Sequence, residues 1–368
     1  MLTKDQNQAA RAISLEEKHG AHNYHPLPVV LSKGEGVYVW DVDGKKYYDF
    51  LSAYSAVNQG HCHPRIVNAM IKQAQTLTLT SRAFHNDKLG PYEAYVTNYF
   101  GFDKVLPMNT GAEAVETSVK ISRKWAYEVK GIPEGQAQII VCENNFHGRT
   151  TTIISFSNDP VARKNFGPFT KGFIKIEYDN LEALEATLKN NPNVAGFLVE
   201  PIQGEAGVYV PQEGYLAKAK ALCEKYGILF VADEVMSGFG RTGKWFGFQN
   251  HEIVPDMVCM AKGLTASYLP LGCLMVSDKI AAKFETTPMM IGLTYNGHPV
   301  ALAAALAVIN IYESDKLIEN TRQMGAYLES KIEEMRSQHP SMGAFRNTGL
   351  LGCLDVLKNK TTGKILFL

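Results

Sequence analysis

An acid and an amine follow two apolar runs of this chain, and together they suggest the chemistry of one cofactor. Asp233 ends the run ILFVAD, and Lys262 follows the run MVCMA. A buried carboxylate needs a partner such as a protonated ring nitrogen, because burying the isolated charge is costly. A lysine amine can condense with an aldehyde and then carry protons. Pyridoxal phosphate has both a basic ring nitrogen and an aldehyde, so the pair predicts this cofactor.

Taken singly, each residue has an ordinary explanation. Asp233 could cap the next helix or pair with an arginine, and Lys262 could be a surface cation at a helix end. Only the combination, at the ends of two predicted strands, favours a cofactor pocket.

A glycine turn ahead of a helical stretch is the candidate phosphate site. Thr110, Gly111 and Ala112 precede a helical pattern, so backbone amides at a helix N-terminus could meet the phosphate. Helix-entry turns of this kind are common, which makes the signal weak by itself. Thr294, in GLTYNGHP, is a second candidate phosphate ligand.

The segment CENNFHGRT follows another apolar run and places an aromatic ring three residues before an arginine. Phe146 could stack on the pyridine ring while Arg149 binds a substrate carboxylate. A surface loop with one buried phenylalanine explains the same letters equally well. His61-Cys62-His63 has metal-ligand spacing, but no second His or Cys cluster follows it in the sequence, and no metal site is predicted.

Composition narrows the classes of partner. Among 368 residues, Lys plus Arg and Asp plus Glu both number 37, so no charge excess favours nucleic acid or a membrane surface. Small-molecule partners are expected. Six scattered cysteines and a charged N-terminus without a signal-peptide pattern predict a cytoplasmic protein with reduced thiols.

Alternating strand-like and helical patterns must position these side chains. The alternation predicts an α/β fold with a mainly parallel sheet covered by helices on both faces. Ligands of such sheets bind beyond the carboxyl ends of the strands, where Asp233, Lys262, Glu200 and the loop after Cys142 fall. The predicted strands are QIIVCE, GFLVEPI, ILFVADEV, DMVCMAK and LGCLMVS.

The two ends of the chain differ from this core. Residues 35–52 carry alternation around an Asp-Gly turn, which predicts a hairpin. Beyond residue 317 a charged helix and one strand, LLGCLDVLK, are expected, and the terminal KILFL is interpreted as an element begun but not packed.

Several motifs, in this order and spacing, resemble the class III, fold-type-I pyridoxal phosphate aminotransferases along nearly the whole chain. They are NTGAEA, NNFHGRT, EPIQGEAG, ADEV, GRTGKW and AKGL. The resemblance implies a small-domain segment at 1–64, a large cofactor-binding domain at 65–316 and the start of a C-terminal small domain at 317–368. It also implies a homodimer, with Thr294 reaching the partner subunit's phosphate, and a cofactor contact by His147.

Residues 1 to about 234 resemble the ornithine aminotransferases, through phrases such as GAHNYHPLPV and SAYSAVNQGHCHP. This resemblance implies that Tyr24, Tyr54 and Arg149 hold the end of ornithine that bears the α-amine and α-carboxylate. It further implies that Glu205 masks a second arginine, which otherwise binds a 2-oxo acid.

From about Met236 onward the sequence resembles the ω-amino acid:pyruvate aminotransferases. Met236 itself replaces a glutamine that is usual near the cofactor in the ornithine family. The sequence also ends earlier than the family pattern, before the family's C-terminal arginine. Three hypotheses follow: an ornithine aminotransferase, an ω-amino acid:pyruvate aminotransferase, and a truncated or composite chain that binds the cofactor without turnover.

Overall fold

A central sheet of seven strands organises the protein in this computed structural model, which describes residues 8–285, 289–359 and 361–366. The strand order is β4-β10-β9-β8-β7-β5-β6, and β10 runs in the direction opposite to that of the other six strands. The strands are β4 (Lys104–Met108), β5 (Gln138–Cys142), β6 (Phe173–Ile176), β7 (Val194–Val199), β8 (Leu229–Asp233), β9 (Met257–Met260) and β10 (Gly272–Val276). The predicted mainly parallel sheet is therefore confirmed.

The central strands form because their sequences are apolar without interruption. Every residue of β7, β8, β9 and β10 is buried. Continuous rather than alternating apolarity is typical of strands covered on both faces. Two clusters of buried apolar side chains, one on each side of the sheet, form the core.

Helices cover both faces of the sheet and continue into the terminal regions. The helix α11 contains the apolar, alanine-rich run from Val300 to Tyr312. The helical segments are α1 (Gln8–His19), α2 (Ser52–Ser55), α3 (Pro64–Ala74), α4 (Leu89–Phe100), α5 (Gly111–Trp125), α6 (Thr151–Ile154), α7 (Pro160–Arg163), α8 (Leu181–Asn190), α9 (Tyr215–Lys225), α10 (Asp278–Phe284), α11 (Pro299–Ser314) and α12 (Leu317–Gln338). No helix among the described residues is both long and apolar enough to cross a membrane.

The N-terminal hairpin is present, with an additional strand. Strands β1 (Leu31–Glu35), β2 (Tyr38–Asp41) and β3 (Lys46–Tyr48) form an antiparallel sheet, and the Asp-Gly turn joins β2 to β3. The following segment α2 is unusual, because Ser52, Ala53, Tyr54 and Ser55 all have positive φ angles of 47–64°. Such left-handed backbone is strained for residues other than glycine and is found preferentially at functional sites.

The C-terminal region holds more sheet than the sequence predicted. Strands β11 (Met342–Thr348), β12 (Leu351–Asn359) and β13 (Lys364–Ile365) form a third antiparallel sheet. The interpretation of KILFL as unpacked is wrong for Ile365, which pairs with Leu357 of β12. Residues 367–368 of that segment lie outside the described residues. The boundaries at residues 64 and 316 stay a prediction.

Candidate active site

The carboxyl ends of the parallel strands surround a cavity of about 410 Å³. Because these strands run in one direction, the residues that follow them meet at one edge of the sheet. Asp233 ends β8, Lys262 follows β9 and Glu200 follows β7. All three side chains line the cavity. The structure thus brings together the acid and the amine that the sequence predicted.

Asp233 is buried and held by two donors. Its Oδ2 lies 2.6 Å from Nδ1 of His147, and its Oδ1 accepts the backbone N–H of Val235 at 3.0 Å. Burial disfavours the charged imidazole, but Asp233 and then Glu200 outweigh it and raise the pKa of His147. The carboxylate therefore faces the cavity with a fixed orientation, as a partner for a protonated ring nitrogen requires.

Lys262 lies opposite, at the start of a single 3₁₀ turn, with φ of +43°. Its Nζ is 3.7 Å from Sδ of Met236. Burial lowers the pKa of Lys262, and Arg241 acts in the same sense, although Glu205 and Asp233 oppose it. A lowered pKa increases the neutral, nucleophilic fraction of the amine.

The N-terminus of α5 forms one wall of the cavity and can hold an anion. Thr110 and Glu113 form a capping box, in which Thr110 Oγ1 accepts the Glu113 N–H at 3.1 Å and Glu113 Oε2 accepts the Thr110 N–H at 3.0 Å. The first amides of a helix lack intrahelical partners, so those of Gly111 and Ala112, which line the cavity, remain for a ligand. A Cβ added to Gly111 would lie 2.9 Å from both γ carbons of Val235. A side chain at position 111 would therefore force Val235 or the helix N-terminus to move.

Phe146 lines the cavity, and 38% of it is exposed. The guanidinium of Arg149 lies 6.0 Å from the centre of its ring. Beyond it, Tyr24 raises the pKa of Tyr54 by a hydrogen bond, and Arg149 opposes this shift. Tyr24 and Tyr54 are thus in hydrogen-bond contact, and Arg149 lies close enough to act on Tyr54 electrostatically, so the three exposed residues form a polar group outside the cavity.

Glu205 and Thr294, two of the predicted site residues, lie in different surroundings. Glu205 lines the cavity near Lys262. No ion pair joins Glu205 to an arginine in the part of the chain that the structure describes; Arg346, in the adjacent hairpin, pairs instead with Asp355. Thr294 is exposed in the turn before α11 and does not line the cavity of its own chain.

The sequence prediction omitted Glu200 from the site residues. This carboxylate is 5% exposed and lines the cavity. Burial raises its pKa to about 7, although His147 opposes the shift. Its position directly after the apolar run of β7, where Asp233 stands after β8, was the available signal.

The family comparison decides the class of the protein. The profile described as "Aminotransferase class-III" matches residues 19–367. The chain belongs to the class III aminotransferases. Enzymes of this class are pyridoxal phosphate-dependent transaminases of fold type I, so the predictions of fold, cofactor and reaction class are confirmed.

Similar class III proteins cover most of the chain. A mitochondrial ornithine aminotransferase of Drosophila melanogaster is 51% identical over 341 residues, covering 93% of this chain and 78% of the relative. A Toxoplasma gondii ornithine aminotransferase structure, whose description mentions partial PLP occupancy, has a TM-score of 0.92 and 42% identity, with 96% and 82% of the chains covered. An (S)-enantioselective ω-transaminase from Thermomicrobium roseum has a TM-score of 0.90 and 33% identity, with 97% and 86% covered.

Proposed function

We propose that this class III aminotransferase transfers the δ-amino group of L-ornithine to a 2-oxo acid, which yields glutamate 5-semialdehyde and an amino acid. The observation that carries the proposal is the grouping of Tyr24, Tyr54 and Arg149 outside the cavity that holds Lys262. A donor anchored there by its α-carboxylate would extend its distal amine toward Lys262. Named ornithine aminotransferases that are 47–51% identical support the same substrate.

The cavity residues would hold pyridoxal phosphate by its three chemical parts. Asp233 would face the ring nitrogen, Phe146 the ring, and the amides of Gly111 and Ala112 the phosphate, with Thr110 beside them. His147 would orient Asp233, and Met236 would lie near the ring oxygen. When bound, the cofactor supplies the aldehyde and the electron-withdrawing ring that stabilise negative charge on the substrate carbon.

Lys262 performs the proton transfers of the reaction. Its Nζ is partly buried, and burial favours the neutral amine. A neutral Nζ accepts a proton from the carbon that bears the donor amine and can return it to a different atom. The φ of +43° at Lys262 fixes the direction of the side chain at a cost that the surrounding turn must offset.

The substrate end is bound by charge and by hydrogen bonds. Arg149 supplies a planar guanidinium that matches a carboxylate in two parallel hydrogen bonds. Tyr24 and Tyr54 supply hydroxyl groups, and the strained backbone of α2 directs Tyr54 toward Arg149. Glu205, at the inner end, adds negative charge where the distal amine of ornithine, but not a second carboxylate, is favoured.

A homodimer and a cytoplasmic location belong to the same proposal. Thr294 is exposed beside Tyr295, which is 56% exposed, as a residue that reaches a partner subunit's phosphate requires. Sizing with and without cofactor tests the dimer. Location stays a prediction, because the Drosophila relatives are named mitochondrial enzymes.

A donor panel tests the substrate. Ornithine, β-alanine, 4-aminobutyrate and taurine are each supplied with pyruvate or 2-oxoglutarate, and the new amino acid is quantified. We expect ornithine to have the highest kcat/KM and to yield glutamate 5-semialdehyde. Ready use of β-alanine or another ω-amine without use of ornithine would reject the proposal.

An ω-amino acid:pyruvate aminotransferase is the second candidate, favoured by one contact. Met236 presents a thioether to Lys262, where the ornithine family usually has a glutamine. In the same panel this candidate predicts fast turnover of β-alanine with pyruvate. A non-catalytic chain would instead bind the cofactor, absorb visible light and keep that absorption when every donor is added.

A further inference from the structure

Glu200 is a buried carboxylate that no cation neutralises by direct contact among the described residues. It directly follows β7, is 5% exposed and makes no ion pair within 4.0 Å in that part of the chain. Its backbone is fixed, because Tyr178 Oη donates to the carbonyl oxygens of Glu200 at 3.3 Å and Pro201 at 3.0 Å. Burying such a charge is costly unless hydrogen bonds stabilise it, so the groups that donate to this carboxylate matter.

Its two oxygens bind two different loops. Oε1 accepts the backbone N–H of Phe146 at 2.9 Å, and Oε2 accepts the backbone N–H of Gly204 at 3.3 Å. The first loop continues through Phe146 to Arg149, and the second places Glu205 directly after Gly204. One side chain therefore joins the loop of the predicted carboxylate-binding arginine to the loop of the acid that lies near Lys262.

We propose that Glu200 is a positioning residue that sets the separation of these two loops, and thereby the distance between Arg149 and Glu205 that a donor or acceptor must fit. The substrate roles of Arg149 and Glu205 rest on the proposed function. The connection between the loops does not, since it depends only on the two hydrogen bonds.

Protonation would weaken the connection. An ionised carboxylate accepts from both amides, whereas a protonated one carries a hydrogen on one oxygen and loses acceptor capacity there. The groups that face Glu200 are His147, Asp233, Lys262, Tyr178 and Cys142. His147 favours the ionised carboxylate and Asp233 disfavours it. The pKa of Glu200 is raised to about 7, so we expect the connection between the two loops to be weaker below that pH than above it.

The Glu200→Gln substitution separates the connection from general packing. Glutamine has nearly the same shape, but its amide nitrogen cannot accept an N–H, so one loop must be released. Glu143→Gln is the matched control, because Glu143 is an exposed carboxylate in the same region and its side chain holds neither loop amide. Circular dichroism and cofactor absorbance establish that both variants fold.

Amide hydrogen exchange read by mass spectrometry gives the decisive measurement, and it needs no substrate. In cofactor-loaded Glu200→Gln, we expect protection of segment 144–149 or 203–207 to fall about tenfold, since one hydrogen bond is lost. Segments in β8 and α5, and both loops of Glu143→Gln, should exchange as in the unsubstituted protein. Unchanged protection of both loops in Glu200→Gln would overturn the proposal.

Kinetics and pH complete the test. We expect KM for ornithine and for the 2-oxo acid to rise about fivefold in Glu200→Gln with kcat altered less than about twofold, because only positioning is lost.

If the variant does not fold, exchange of the unsubstituted protein at pH 8 and pH 6, corrected for the intrinsic rate, must show loss of loop protection at pH 6. Equal corrected protection would reject the role. If ornithine is no donor at all, the exchange result still stands and only the proposed function fails.

Discussion

His147 Nδ1 lies 2.6 Å from Asp233 Oδ2, and both side chains are buried beneath the cavity. The Nε2 atom of the same ring is buried and has no hydrogen-bond partner in the part of the chain that the structure describes. Among the described residues, the imidazole therefore makes its side-chain hydrogen bond with the acid proposed to face the ring nitrogen, and we expect the pair to influence both stability and cofactor binding.

Replacing His147 should change the pH dependence of stability. The pKa of His147 is raised above its ordinary value of 6.5, so protonation stabilises the folded state. That contribution is fully present below pH 6.5 and is lost as the pH rises through the raised value. We expect His147→Ala to lower the free energy of unfolding by about 2 kcal/mol at pH 6 and by less at pH 9. Urea unfolding at both pH values measures the difference.

His147→Gln is the control, because its amide can still donate to Asp233 but does not titrate. It should recover part of the stability at pH 9 and flatten the dependence between pH 6 and pH 9. An unchanged pH dependence in both variants would mean that the pair contributes no net charge interaction to folding.

Met236 should influence the reactivity of Lys262. A glutamine oxygen would accept a hydrogen bond from the charged amine, whereas the present thioether, 3.7 Å from Nζ, is a weak acceptor. We expect Met236→Gln to raise the pKa of Lys262 and to slow reductive methylation of Nζ in the cofactor-free protein about threefold to tenfold at pH 7.5. Met236→Leu, which offers no acceptor, should leave the rate within about twofold. A faster reaction in the glutamine variant would contradict this view of the contact.

A side chain at position 111 should close the phosphate cradle. In Gly111→Ala the new Cβ would meet both γ carbons of Val235 at 2.9 Å, so a neighbour must move. We expect the Kd for pyridoxal phosphate to increase about tenfold or more, because displaced helix amides lose their alignment. Absorbance titration of the cofactor-free protein measures this. Gly90→Ala is the control, since a Cβ there has no neighbour within 4 Å.

Adding Val235→Ala to Gly111→Ala should restore part of the affinity relative to Val235→Ala alone. If the two substitutions reduced the affinity for pyridoxal phosphate independently and additively, the clash with Val235 would not be the cause of the loss in Gly111→Ala.

The sequence predicts features that depend on neighbouring residues, and it does not predict features that depend on residues far away in the chain. The strands that position Asp233 and Lys262 were predicted because β8 and β9 are apolar without interruption, and burial on both faces needs only that pattern. Strand β11 was not predicted, because most of its residues are only half-buried and its formation depends on pairing with β12. The left-handed backbone of α2 was not predicted, because this segment contains no glycine, the residue that usually signals such a conformation. Glu200 was omitted because its importance lies in amides 54 residues before it and 4 residues after it.

Arg346 connects the C-terminal hairpin to the loop of Glu205, and its loss should affect both. Its Nε donates to the carbonyl of Gly207 at 2.9 Å, and its two terminal nitrogens lie 2.8 and 2.7 Å from the carboxylate of Asp355. Gly207 has a φ of +123°, a conformation that L side chains rarely adopt but that glycine adopts without steric cost. We expect Arg346→Ala to reduce the free energy of unfolding by about 1–3 kcal/mol. Urea unfolding at pH 7 measures the change.

Asp355→Asn distinguishes the two contacts of Arg346. It weakens the ion pair but leaves the bond to Gly207, so it should destabilise the protein without altering KM for either substrate. Arg346 lowers the pKa of Asp355, so the ion pair is fully present above pH 3.8 and is lost as the pH falls through the lowered value. Arg346→Ala should additionally raise KM for ornithine more than KM for the 2-oxo acid, because the loop that it loosens carries Glu205, whose negative charge favours the distal amine of ornithine. Equal changes in the two KM values would indicate that Arg346 stabilises the hairpin alone.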